Sequence, residues 1–495
     1  MNSIIQNLAT IEMTPVFPLV MVIVVLASFS LIFLIHNDKC DSKCSTLPPG
    51  NSGWPFIGES LELLKFCSGG CPEKFILDRM NKFSSHAFRT SLLGQDAVVF
   101  CGSSGNKFLF SNENKLVKAW WPRSMMKPLF FPTPMTTSTN EFTKKMRGSV
   151  HEFLNGETLQ QFIGLMDAME KEHLEIKWSP YGEVEVFPLM RKFNFTLACR
   201  LFMGVNDPNL ISKMAEPFLL VSTGFMSLPI NFPGTAYNHA MKGGKILREE
   251  VLKIVRQRKA QVFEKKLDFR EAKDLLSRML YATDENNMFA DELEIANTII
   301  SLLNAGNEPI SATISFVLKY LAELPHIYDE VLKEQMEIAM SKRPGEWLNW
   351  KDIQKMKYTW NVVSETMRIA SPAHGAFREV ISDFTFAGFT IPKGWKAVWT
   401  THSTHKNPKY FPNPEKFEPS RFEGNGPAPY TYVPFGGGPR MCPGIQYTQL
   451  QVLSFIHNVV IKFKWEKHFP NEKITYRPLP CVENGLPIRL LPHQT

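Results

Sequence analysis

Apolar and polar residues recur with a helical period along most of the chain. The clearest stretch runs from Asp291 to Leu324, where an acidic residue precedes a long apolar-periodic run that a proline follows. Asp291, with Glu294 three residues later, is typical of a helix start, and a proline just beyond the run is typical of a helix end. The pattern predicts one helix of about 34 residues, roughly 50 Å long, which is enough to cross a whole domain.

A second periodic run, from Tyr447 to Lys462, predicts a helix directly after a glycine-rich stretch. Two further segments indicate strands: Ala97 to Cys101, and Phe384 to Trp399 as a hairpin broken at Gly388 and at 392–394. The remainder is mostly helical in pattern, and no internal repeat is visible. The sequence therefore predicts a mainly α fold with small β-sheets.

An uncharged, mostly apolar run of 20 residues, Val16 to Ile35, lies near the start of the chain. At about 1.5 Å per residue it would span roughly 30 Å, the thickness of bilayer hydrocarbon. Lys39 and Lys43 follow the run, and Glu12 is the charge before it. The positive-inside rule then predicts a single membrane helix with the bulk of the chain in the cytosol.

Proline and glycine residues are concentrated just after this run, in Leu47-Pro48-Pro49-Gly50 and Gly53-Trp54-Pro55. Such a stretch makes a stiff connector between two parts of a protein. We therefore predict three parts: a membrane anchor over residues 1–39, a proline-rich hinge over 40–58 and a single large domain over 59–495.

Composition adds limits on partners and compartment. The chain has 495 residues, 44% of them apolar, and a net charge of +7 with no long basic run. This distribution suits an ordinary solvated surface or a basic face that docks an acidic electron donor, and we expect no nucleic-acid partner. The eight cysteines are scattered, and no histidines stand at zinc-like spacing beside them, so we expect a reducing compartment and no zinc site.

One cysteine stands in a distinctive pattern, Phe435-x-x-Gly438-x-Arg440-x-Cys442-x-Gly444, just before the helix that starts near Tyr447. A lone cysteine in a turn is most often a buried, inert thiol. Here glycines permit a close backbone approach, the helix N-terminus favours a thiolate, and the arginine offers a cation to a carboxylate. These are the requirements of a haem iron held by a cysteine thiolate.

The pattern resembles the haem-binding loop of cytochrome P450 enzymes, with all five fixed positions present. The resemblance implies the cytochrome P450 fold, haem b as cofactor and Cys442 as the ligand of its iron. Other positions match the family's haem-binding residues and its structural Glu-Arg-Arg triad. The implied haem-binding residues are Arg147 and Arg378 for the propionates, with Phe435, Gly438 and Arg440 in the loop, and the triad is Glu365, Arg368 and Arg421.

The long helix departs from the family pattern. In most members an acidic residue followed by threonine delivers protons while dioxygen is activated, whereas this chain has Glu308 followed by Pro309. The missing hydroxyl must be replaced by Glu308 itself, by Asn307 with ordered water, by a substrate hydroxyl or by Thr313 one turn on. We therefore predict Glu308, Asn307 and Thr313 as catalytic residues. The alternatives are that oxygen activation is weak or that Pro309 is harmless.

Several stretches, such as Trp120-Trp121-Pro122 and Gly375-Ala376-Phe377-Arg378-Glu379, resemble plant triterpenoid oxidases of the β-amyrin 28-oxidase-like family. The resemblance implies a large apolar pocket for a hydrophobic triterpenoid. It also implies electrons from NADPH-cytochrome P450 reductase and a single-pass place in the endoplasmic reticulum membrane. Beside the expected pocket, His374 is either a hydrogen-bonded structural residue or a contact to an oxygenated substrate.

Two other functions stay open at this point. One is a haem-thiolate isomerase or lyase, which needs neither the threonine nor a reductase. The other is a haem-binding protein whose oxygenase activity is weakened or lost. Because Gly444 is intact and the cysteine loop is not expanded, the sequence favours a monooxygenase.

Overall fold

The computed structural model of the protein describes residues 46–54, 57–129, 148–265, 273–281, 291–476 and 479–492, together with residues 23, 24 and 28. Among the helices in these ranges, none has both the length and the apolarity needed to cross a bilayer. The predicted membrane helix, residues 16–35, lies outside the described residues apart from the three single positions. It therefore stays a prediction.

Helices form most of the described chain, as the apolar periodicity predicts. In chain order they include α1 (Ser60–Ser68), α2 (Pro72–Lys82), α3 (Gly102–Ser111), α4 (Arg123–Met126), α5 (Gly156–Gln160), α6 (Ile163–Lys177), α7 (Val186–Met203), α8 (Pro208–Gly224), α9 (Ala236–Lys265), α10 (Leu275–Tyr281), α11 (Glu292–Glu323), α12 (Pro325–Met340), α13 (Trp350–Lys355), α14 (Lys357–Ile369) and α15 (Ile445–Lys462).

Strands form four small sheets within the described residues. The strands are β1 (Ala87–Leu92), β2 (Gln95–Phe100), β3 (Val117–Ala119), β4 (Glu183–Glu185), β5 (Gly375–Val380), β6 (Phe384–Phe386), β7 (Phe389–Ile391), β8 (Lys396–Thr400), β9 (Phe463–Lys467), β10 (Ile474–Tyr476), β11 (Pro480–Val482) and β12 (Pro487–Pro492). The largest sheet has the order β1-β2-β8-β5-β3, and the others are β4-β12-β9, β10-β11 and β6-β7.

The predicted hairpin is confirmed only in part. β6 and β7 pair antiparallel across Gly388, whose φ of +84° suits a turn that other residues adopt with strain. The last strand of the predicted stretch, β8, instead runs parallel to β2, with Val98 opposite Ala397, and antiparallel to β5. Because β8 joins two separate parts of the chain, it stands near the centre of the largest sheet.

The long helix is confirmed as α11, and it runs through the main apolar core. The side chain of Asp291 caps it by accepting a hydrogen bond from the Leu293 amide at 3.2 Å. Phe202 of α7 and Tyr447 of α15 pack against each other at 5.9 Å, next to Gly306 of α11. These contacts place the middle of α11 against the first turn of α15.

The predicted triad is confirmed in its geometry. Arg368 donates from Nε to Glu365 at 2.7 Å, and both side chains are fully buried. Nε of Arg421 lies 3.4 Å from the same carboxylate. Arg368 also donates to the carbonyls of His405 and Pro414, at 2.8 and 2.7 Å. The triad therefore ties α14 to the irregular segment that leads into the cysteine loop.

Candidate functional site

The cysteine loop is a short turn between the irregular segment and α15. A 3₁₀ turn, Gly438–Arg440, precedes Cys442, and the Cys442 amide donates to the Phe435 carbonyl at 2.9 Å. Helix α15 begins three residues after Cys442, with Gly444 at its N-cap position. The loop therefore closes on itself and presents the thiol at the N-terminus of α15, as the sequence predicts.

The glycines of the loop serve a purpose that the sequence did not reveal. We expected them to let the backbone approach a flat ligand. The structure shows that a Cβ on Gly437 would lie 2.4 Å from the Phe110 ring, and one on Gly438 2.3 Å from the Phe110 carbonyl oxygen. Gly438 also has a φ of +65°. These two glycines are therefore needed for the close packing of the loop on α3.

The Cys442 thiol is accessible yet closely surrounded by protein. Its side chain is exposed, while burial raises the pKa of the thiol and the Gly444 amide, by hydrogen bonding, lowers it in part. A group that is both accessible and desolvated lies at the wall of a recess rather than on a convex surface. Desolvation favours the neutral thiol, and coordination to a bound metal cation would favour the thiolate instead.

Two of the predicted propionate-binding arginines come together. Arg378 on β5 and Arg440 in the cysteine loop approach the same buried carboxylate, Glu113. Arg378 donates from Nε to Glu113, and Nε of Arg440 lies 3.6 Å from its other oxygen. The third arginine of the prediction, Arg147, lies outside the described residues.

An apolar stripe runs along the middle of α11. Ala305 is exposed and Leu302 and Pro309 are half-buried, although the neighbouring Asn304 and Asn307 are buried. These spacings of three and four residues put the three side chains on one helix face. The face borders open space at the level where α11 meets the first turn of α15, so it suits the apolar wall of a ligand site.

Pro309 lies inside α11, as its position in the predicted helix implies. It has no amide hydrogen, so it cannot donate to the carbonyl of Ala305, the residue four positions earlier. Thr313 donates its hydroxyl to the Pro309 carbonyl at 2.8 Å and is itself buried. The hydroxyl of Thr313 is therefore engaged with the backbone one turn beyond the stripe.

Glu308 and Asn307 are both tied to Arg191 on α7. The Glu308 carboxylate accepts from Nε of Arg191 at 2.8 Å, and Nη2 lies 2.5 Å from the same oxygen. The Asn307 amide group donates to the Arg191 carbonyl at 2.7 Å. The structure thus brings these two predicted catalytic residues together, but on the α7 side of the helix and apart from the hydroxyl of Thr313.

A buried polar chain, which sequence reasoning missed, extends this contact. Ser311 of α11 accepts from Asn194 of α7 at 2.8 Å, and Asn194 accepts from Gln451 of α15 at 2.6 Å. The Ser311 hydroxyl lies 3.5 Å from Asn307, and all four side chains are buried. The sequence signal that could have revealed this chain is a polar residue on an otherwise apolar face of each of the three helices α7, α11 and α15. Because Asn194 is buried, its Asn-x-Thr sequon cannot accept a glycan in the folded protein.

His374 is a hydrogen-bonded residue, which confirms the first of its two interpretations. Its Nδ1 lies 2.6 Å from Nε2 of His402, and its ring packs on Tyr476 with 5.0 Å between centroids. Burial and the positive charge of neighbouring groups hold the pKa of His402 well below its ordinary value. Through its contact with His402, His374 therefore orders the start of β5.

The residues present fit a haem. The thiol at the N-terminus of α15 is of the type that holds haem iron, the two converging arginines suit the haem carboxylates, and the apolar stripe of α11 suits its apolar surroundings. In this arrangement Cys442 would ligate the iron, and Arg378 and Arg440 would pair with the propionates.

Comparison with known proteins agrees with this fit. The sequence model of the cytochrome P450 family matches residues 48–486. A β-amyrin 6-beta-monooxygenase of Solanum lycopersicum is 53% identical over 94% of this chain and 97% of its own. A β-amyrin 28-monooxygenase of Vitis vinifera is 52% identical over 96% and 98%. The solved structure of the retinoic acid bound cyanobacterial CYP120A1 superposes with a TM-score of 0.79 at 30% identity, covering 90% of this chain and 99% of its own.

Proposed function

The chain belongs to the cytochrome P450 family, and on that premise we propose that it is a membrane-bound monooxygenase of the endoplasmic reticulum that oxidises a β-amyrin-type triterpene. The observation that carries the proposal is the accessible Cys442 thiol at the N-terminus of α15, whose first turn packs against the middle of α11. When bound, the haem activates dioxygen so that one oxygen atom enters an unactivated C–H bond.

The chain's own residues provide the surroundings of this reaction. Leu302, Ala305 and Pro309 offer apolar surface to a hydrocarbon and exclude water from it. Glu308, held by Arg191, directly precedes Pro309, which stands at the position of the missing threonine. We infer that Glu308 passes protons towards the stripe, with Arg191 setting the position of its carboxylate.

The relatives support a pentacyclic triterpene as substrate but leave open the carbon that is oxidised. The two relatives named above are about equally similar to this chain, and their names place oxidation at different positions of β-amyrin. A pocket lined by alanine, leucine and proline distinguishes hydrocarbons by shape, since few polar groups orient them. The regiochemistry therefore depends on residues that differ among close relatives.

Membrane association is supported by an apolar surface on the described domain. A cavity of about 690 Å³ opens between α1, the β1–β2 turn and the segment after α8. Its walls carry exposed apolar side chains: Ile57, Leu61, Leu64, Leu93 and Leu228. An exposed apolar surface of this kind suits a bilayer, from which a triterpene would enter. The predicted membrane helix over 16–35 would keep this face at the membrane.

NADPH-cytochrome P450 reductase is the proposed electron donor. The net charge of +7 favours an acidic partner. Helix α3, which packs against the cysteine loop, carries the exposed Lys107, so cationic charge is available on the cysteine side.

The proposal is tested by expressing the full chain with a plant reductase in a yeast that makes β-amyrin, followed by metabolite profiling. We expect oxygenated β-amyrin that requires both the reductase and NADPH. Conversion without them would support an isomerase or lyase instead. The control is Cys442→Ser, which we expect to give no product and none of the carbon-monoxide difference absorption of a thiolate-ligated haem.

A further inference from the structure

Glu113 is a buried carboxylate that the sequence pattern did not single out. It follows α3 and its side chain is only 1% exposed. A carboxylate at this depth is stable only beside compensating cations. Two arginines supply them from distant parts of the chain, Arg378 from β5 and Arg440 from the cysteine loop.

Each of the two arginines approaches Glu113 with its own Nε atom. Arg378 donates from Nε to one carboxylate oxygen, and Nε of Arg440 lies 3.6 Å from the other. A contact through Nε engages one edge of a guanidinium and leaves donors on its remaining edges for a second partner. Arg378 also donates from Nη1 to the Phe377 carbonyl at 2.9 Å, which fixes the plane of its guanidinium.

We propose that Glu113 is a positioning residue for the haem, because it sets the orientation of Arg378 and Arg440 towards the two propionates. This rests on the haem binding of the proposed function, though not on its substrate. One carboxylate and two guanidiniums carry a net charge of +1, so the cluster still attracts an anion. Charge-assisted hydrogen bonds depend on direction as well as charge, so fixed donors hold a carboxylate better than mobile ones.

The alternative is that Glu113 only neutralises two buried cations and leaves the haem unaffected. The two roles differ in the rate at which holoprotein loses haem to an excess of apomyoglobin. In Glu113→Gln we expect this rate to rise roughly 10- to 100-fold, the usual effect of removing a residue that orients a ligand-holding group. If added positive charge mattered more than orientation, the variant would retain haem more tightly, and that outcome would overturn the proposal.

Glu379→Gln is a matched control on the same strand as Arg378. Glu379 lies next to Arg378 in sequence but pairs with Lys118 and Lys396, at 2.9 and 3.2 Å. We expect its haem-loss rate to stay within about twofold of the wild type, since neither the exposed Lys118 nor the buried Lys396 is a predicted haem-binding residue. Equal rates for Glu113→Gln and Glu379→Gln would overturn the proposal.

A double variant separates positioning from general destabilisation. If Glu113 acts through Arg378, then E113Q combined with R378Q must raise the haem-loss rate by less than the product of the two single effects. A full product would show independent roles and would overturn the proposal. Should E113Q give no folded holoprotein, Glu113→Asp decides: its shorter side chain must raise the haem-loss rate above that of the wild type, and a wild-type rate contradicts the assignment. None of these measurements needs a substrate, so they can fail while triterpene oxidation stands, and the reverse.

Discussion

The two walls of the proposed haem site are built in different ways. On the cysteine side, close packing fixes the loop: Gly437 and Gly438 touch Phe110, and the buried Glu365 locks the segment before it. On the α11 side, the groups expected near the reacting oxygen are instead held by polar contacts to α7. The comparison teaches that the cysteine wall tolerates little change, whereas the α11 wall can exchange residues, as Pro309 does, while α11 remains a helix.

The largest expected effect concerns the α11 wall. If Glu308 supplies protons, Glu308→Gln should lower the rate of product formation about 10²- to 10⁴-fold while the absorption spectrum of the haem stays unchanged. Glu292→Gln is the control. Like Glu308, Glu292 pairs with cationic side chains, here Arg256 and Lys259, but it lies in the first turn of α11, far from Pro309. Equal turnover in the two variants would remove Glu308 from the mechanism.

The next effect concerns the stability of the cysteine wall. Glu365→Gln leaves the fully buried Arg368 without its counter-charge, which should cost about 3–5 kcal/mol of unfolding free energy. Denaturant titration of the holoprotein measures this. In Glu418→Gln, which removes a carboxylate 36% exposed beside Arg421, the loss should stay under about 1 kcal/mol. A small loss in both variants would mean that the triad does not hold the loop segment.

A smaller loss of stability is expected from the loop itself. In Gly437→Ala the new methyl group meets the Phe110 ring, so the variant should lose about 1–3 kcal/mol and bind haem less completely. Gly182→Ala is the comparison, since nothing lies within 4 Å of a Cβ there and its change should stay within about 0.5 kcal/mol. If the two alanine variants behave alike, close packing does not explain the loop glycines.

The smallest expected effect tests the consequence of Pro309. Pro309→Thr restores both an amide hydrogen and a hydroxyl, so we expect less hydrogen peroxide released per molecule of product. Pro309→Ala restores the amide alone and separates the two contributions. The measurement compares peroxide with product at equal NADPH consumption. Unchanged yields in both variants would show that the missing hydroxyl has no cost in this protein.

Local patterns were sufficient to predict much of the fold. The helical period and the proline after it were enough to predict α11. The glycine-rich stretch followed by an apolar-periodic run was enough to predict α15 and its approximate start. The pairing of β8 was not predictable, because nothing in its own sequence identifies β2 as its partner. Pairing between distant strands depends on the whole fold rather than on a local signal.

Within the candidate site, the residues of the cysteine motif could be predicted from the sequence, whereas the residues that other elements contribute could not. Cys442 and Arg440 stand in one short pattern, so their proximity follows from the sequence. Glu113, Arg191 and Asn194 come from other elements, and their roles arise only once the helices and strands pack together. Polar residues of this kind carry no periodic signature, since each is a single position on its own element.

The parallel pairing of β2 with β8 has a consequence for folding during synthesis on the ribosome. The paired residues are about 300 positions apart in the chain. At typical elongation rates of roughly 5–20 residues per second, β2 waits about 15–60 s before its neighbour is even synthesised. Throughout that time a hydrophobic strand edge stays open to other chains, which makes chaperone supply and translation speed decisive for how much intact enzyme a host can accumulate.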